Sequence, residues 1–100
     1  MLSPTTGSPP EMITWVVLHD HYNHTGQRTT DITQAYWNVL DAQRDVEYNV
    51  RELKTAGLRP EWSTTRDMNP LAVGLRECRL ISDETGQTTH WFRVMVAKLK

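Results

Sequence analysis

The stretch Asp31–Gly57, DITQAYWNVLDAQRDVEYNVRELKTAG, decides the fold. Two readings compete for it. Ile32, Ala35, Val39, Ala42, Val46, Val50 and Leu53 fall on one helical face, which allows a single helix of about seven turns. Against that, ITQAYWNV (32–39) is β-branched and aromatic, so it favours a strand over a helix. Asn38, followed by Val39, Leu40 and Asp41, has the form of an N-cap with an acid at the third helical position. From there the residues are better helix formers, with Lys54 near the end and Gly57 as a C-cap. We expect a strand at about 30–37 and a helix at about 39–56.

Working outward, MITWVVLHDHY (12–22) is a short apolar run of β-branched and aromatic residues and reads as a first strand. NHTGQRTT (23–30) and DETGQTTH (83–90) share a Thr-Gly-Gln core, and each separates two β-like runs. Glycine supplies the positive φ of a hairpin tip, so both read as tips. LAVGLRECRLIS (71–82) and THWFRVMVAKL (89–99) form the second hairpin. GLRPEWSTTRDMNP (57–70), with Pro60 and Pro70, reads as a connection anchored by Trp62. The expected order is β-β-α-β-β: an α+β fold with an antiparallel sheet of two hairpins and one helix packed on one face. MLSPTTGSPPE (1–11) reads as a disordered N-terminal tail, and 12–100 as a single α+β domain.

Composition narrows the function classes. A chain of 100 residues with 38% hydrophobic and 23% charged residues is an ordinary globular domain, large enough to fold without disulfides. The net charge of −1 argues against strong non-specific binding to nucleic acid. Charge is uneven: residues 1–53 hold three basic and seven acidic groups, and 54–100 hold eight basic and five acidic. Cys78 has no partner for an internal disulfide. There is no apolar run of membrane-spanning length and no secretory signal, so a cytoplasmic location is expected.

Strand alternation separates the side chains into two sets. In the first strand Trp15, Val17, His19 and His21 share one face, and Val16, Leu18, Asp20 and Tyr22 the other. In the last, Phe92, Val94 and Val96 alternate with Trp91, Arg93 and Met95. Neither face of the first strand is polar, yet one helix covers only one face of a sheet. The remainder calls for other cover, from the Trp62 segment or from a second copy in a homodimer.

Candidate chemistry is sparse. His19 and His21 project from one face of a strand, and His24 and His90 are the nearest further ligands for a zinc ion. No compact metal-ligand, phosphate-loop or triad motif accompanies them. Cys78 lies mid-strand near Arg76 and Arg79, and packing is its expected role. Trp15, Trp37, Trp62, Trp91 and Arg93 are candidate binding residues, because Trp and Arg are enriched at interface hot spots. Arg76, Arg79, Arg93, Lys98 and Lys100 on the last hairpin, with Trp91, suit a single-stranded nucleic acid. The reading that follows is a small non-enzymatic protein that binds another macromolecule, most simply another protein, as an accessory or inhibitor module and as a homodimer without a cofactor. A metal- or histidine-dependent enzyme on the His-x-His strand and a nucleic-acid binder are the alternatives.

Overall fold

The computed structural model describes residues 12–66 and 69–99. The elements are β1 (Met12–Tyr22), β2 (Arg28–Tyr36), α1 (Val39–Leu53), β3 (Leu58–Thr64), β4 (Arg76–Ser82) and β5 (Thr88–Leu99). The strands form one antiparallel five-stranded sheet in the order β2-β1-β5-β4-β3. This is the expected α+β fold with one helix on an antiparallel sheet, plus one strand more than the sequence reading contained. The expected tail, 1–11, lies outside the described residues.

The central stretch divides as its propensities require. The strand ends at Tyr36, and Asn38 has extended backbone (φ −123, ψ 129), its side chain accepting a hydrogen bond from the Leu40 amide at 2.7 Å. The helix stops at Leu53, three residues earlier than the sequence suggested. Lys54 is extended and its amide donates to the Val50 carbonyl at 2.8 Å. Gly57, at φ +93, belongs to the turn that launches β3 rather than to the helix cap.

β3 is the element that was missed. Pro60 made LRPEWST look like a loop, since proline removes a ladder donor. An outermost strand needs ladder bonds on one side only, so it tolerates that loss, and β3 pairs along its whole length with β4 from Leu58↔Ser82 to Thr64↔Arg76. β4 begins at Arg76, not at 71, because Leu71–Gly74 turn instead. The Asn69 carbonyl accepts from the amides of Ala72 and Val73, and Ala72 is buried.

Both Thr-Gly-Gln segments are hairpin tips, with Gly26 at φ 85 and Gly86 at φ 72. Each spans five residues between its strands, but the two close on different hydrogen bonds. Asn23 N–H donates to Gln27 O in the first, and Ser82 N–H to Gln87 O in the second.

β2 and β3 lie at opposite edges of the sheet, so α1, which joins them, crosses the whole face. Ala42, Val46 and Val50, spaced by four, are the side chains that α1 buries. They meet Val17, Cys78, Leu80, Phe92 and Val94, with Trp15, Tyr36, Leu53, Trp62 and Leu75 around the margin. A bulge between Val17 and Leu18 leaves Thr33 without a cross-strand partner, and its hydroxyl donates to Asp45 of α1 at 3.0 Å. Among the described residues no helix or strand packs on the opposite face. No described helix is long and apolar enough to cross a membrane.

Candidate functional site

Trp62 pairs with Cys78 and packs against the core, so it lies on the helix-bearing face. The Trp62 segment therefore leaves the other face uncovered, contrary to one expectation from the sequence. Trp15 is also at the core margin, its indole N–H donating to the Leu71 carbonyl at 3.2 Å. Trp37 stands alone before the helix cap, 63% exposed. Of the five candidate binding residues the structure brings together only Trp91 and Arg93.

Those two sit on the open face, where pairing aligns Thr30, Asp20, Trp91, Arg79 and Glu61 in one row across all five strands. The Trp91 indole N–H donates to the Glu77 carboxylate at 2.6 Å. The guanidinium carbons of Arg79 and Arg93 each lie 4.7 Å from the Trp91 ring centroid. Such contacts hold a planar cation against an aromatic face. A groove of about 700 Å³ runs beside this row, between Trp91, Arg79 and Met95 on one side and Glu61, Ser63 and Thr64 on the other.

Asp20 is the least expected member of the row. It is 0% exposed on a face that no described element covers. Its Oδ1 accepts from the Thr30 hydroxyl at 2.6 Å, and its Oδ2 lies 3.3 Å from Arg93 and 4.0 Å from Arg28. Oδ2 and Arg93 Nε nonetheless make no hydrogen bond. The charges are matched while the directional bonds are incomplete, so the carboxylate holds Arg93 electrostatically. Only the odd-even alternation of β1 signalled that Asp20 and the histidines part company. That Asp20 meets Arg93 depends on β1 lying beside β5.

His19, His21 and His90 lie on the helix-bearing face. His21 pairs with His90 and His19 with Phe92. Their rings stack in series, with centroids 4.3 Å apart for His19–Phe92, 5.0 Å for His19–His90 and 4.9 Å for His21–His90. His19 Nε2 and His90 Nδ1 are 2.8 Å apart, so one ring donates and the other accepts. Burial, with His19 and His21 nearby, holds His90 down at about 4, and burial also lowers His19. Both rings are therefore neutral at pH 7.

This geometry bears on the zinc alternative. A metal needs ring nitrogens converging on one point, whereas His19 and His90 direct nitrogens at each other. His24 lies apart, in the β1–β2 turn, beside Tyr22 and Arg79 of the open face. The set His19, His21, His24 and His90 is thus only partly assembled, and among the described residues no group of three or more His, Cys, Asp or Glu side chains is placed to hold a metal ion.

Cys78 is fully buried, and burial pushes its thiol up to about 11. That is the reverse of what a nucleophile requires. The basic hairpin is divided as well. Arg76 stacks over Trp62 at 4.3 Å and pairs with Glu47 of α1 at 3.2 Å, on the other face from Arg79 and Arg93. Lys100 lies outside the described residues. Set against protein-family models, curated proteins and solved structures, the chain matches none of them.

Proposed function

We propose that the protein is a non-enzymatic binding module of the cytoplasm that engages another protein through the open face of its sheet. The observation that carries this reading is the row Asp20–Trp91–Arg79 with its flanking groove. Trp and Arg dominate interface hot spots, and here they are fixed before any partner arrives, which lowers the entropy cost of binding. Around them Ile32 and Met95 are exposed apolar side chains on the same face. An accessory or inhibitor role fits a domain whose His19, His90 and Cys78 are occupied in packing. A second copy is the self-partner version of the same reading.

The test places a photoreactive amino acid at Met95, on the open face, or at Tyr48, on the exposed side of α1. Irradiation in the host is expected to link protein to the Met95 variant and not to the Tyr48 variant. Equal yields from both positions, or linkage to nucleic acid, would overturn the reading. Light scattering at working concentration separates the versions: a monomer mass removes the homodimer.

A further inference from the structure

We propose that the open face recognises a single carboxylate on its protein partner, seated on Arg79 beside Trp91. This rests on the reading of the open face given above. Arg79 differs from the other strand arginines. Arg28 and Arg93 face Asp20, Arg59 pairs with Asp83 and Arg76 with Glu47. Among the described residues no carboxylate comes within ion-pair distance of Arg79, although Glu61 is its cross-strand neighbour. Its guanidinium instead lies against the Trp91 ring. A guanidinium stacked by its face keeps its N–H edge for bidentate bonding to a carboxylate. Trp91 is itself held by Glu77, so the platform is built in advance.

Charge around the groove selects one acid rather than a polyanion. Arg66, Arg79 and Arg93 line it, and so do Glu61 and Glu77, while Asp20 lies behind Arg93. Three cations face three carboxylates, which gives a phosphate chain no continuous positive track. A carboxylate within an otherwise neutral, extended segment meets Arg79, the strand arginine with no acid in ion-pair range among the described residues. The groove of about 700 Å³ has room for the neighbouring side chains of such a segment.

The test uses two soluble, threonine- and valine-rich peptides of roughly eight residues, long enough to cross the groove. They are identical except for a central glutamate or glutamine, and oligothymidylate is the third probe. Binding is followed by the NMR signal of the Trp91 indole N–H. The glutamate peptide is expected to move that signal and to bind about tenfold more tightly than the glutamine peptide. Arg79→Ala should abolish the difference and Arg79→Lys should restore only part of it. Because Arg79 is exposed, both variants should keep the backbone spectrum of the parent chain. Equal binding of the two peptides overturns the carboxylate proposal while leaving the open face as a protein-binding surface. So does a glutamate preference that survives Arg79→Ala. No response to either peptide at millimolar concentration also overturns it, and salt-sensitive binding of oligothymidylate at Trp91 removes the protein reading with it.

Discussion

Two cross-strand rows, displaced by one residue in every strand, run across the sheet back to back. Asp31, His19, Phe92, Cys78 and Trp62 form one, and Thr30, Asp20, Trp91, Arg79 and Glu61 the other. The first lies on the face that carries α1. There Phe92 and Cys78 are fully buried and His19 stacks on Phe92. The second lies on the open face, where the aromatic ring is flanked by arginines and the buried group is a carboxylate. The same backbone supports a row whose centre, His19, Phe92 and Cys78, is apolar or neutral, with the Asp31 carboxylate exposed at its end, and a row charged through its middle. What differs is whether a helix covers the side chains. Under cover, ionisable rings are kept neutral, while without it charges are matched by long side chains lying along the surface.

Substitutions at adjacent positions should break this comparison unequally. The largest effect is expected at Phe92, where Phe92→Ala opens a cavity in the core and costs ~3–5 kcal/mol, measured by denaturant unfolding. Trp91→Ala, one residue away, should cost about 1 kcal/mol, the part of its contacts not shared with solvent. Equal losses at the two positions would mean that the open face is a second core.

Next is Asp20→Ala, expected to cost about 2 kcal/mol. It strands Arg93 and Thr30, but the partly exposed arginines recover some hydration, so the loss falls short of that for a fully buried pair. Asp20→Asn should cost less, because the amide oxygen still accepts from Thr30. An unchanged unfolding midpoint in Asp20→Ala would show that Arg93 needs no anchor.

The histidine row sharpens the comparison through pH. His90 is held at about 4 in the folded chain against 6.5 when free. The unfolded chain therefore binds the proton first as pH falls. Stability is fully present above pH 6.5 and is lost progressively as pH drops toward about 4, where the folded form also protonates. Burial lowers His19 as well, and there Asp31, its cross-strand neighbour, opposes part of the shift by favouring the charged ring. Thermal melting from pH 7.5 to 4 should show a decline that His90→Leu flattens. A decline unchanged in that variant would assign the acid sensitivity to other groups. The smallest effect is expected at the helix start, where Asn38→Ala should cost ~1 kcal/mol by removing the cap on the Leu40 amide. It should leave both rows intact.

Much of this was legible from local chemistry. The strand-to-helix division at Asn38 followed from β-branched residues before it and helix formers after it. Both hairpins followed from Thr-Gly-Gln, and the partition of Trp91 from Phe92, or Asp20 from His19, followed from alternation. β3 was hidden because the cost of Pro60 depends on whether a strand is central or at an edge, and that is a property of the sheet. The site was half visible for the same reason. Trp91 and Arg93 were candidates, but Trp15, Trp37 and Trp62 looked equivalent to them, since composition does not say which aromatic a helix will cover.

By itself, then, the sequence determined the types of every element but β3, the tips and the division of the other strands into two faces, because these depend on residues close along the chain. Only the tertiary structure decided that β1 lies beside β5, which brings His90 to His19 and His21 on one side and Arg93 to Asp20 on the other. That pairing joins residues about seventy positions apart through backbone hydrogen bonds, and such bonds carry no mark of the side chains they align.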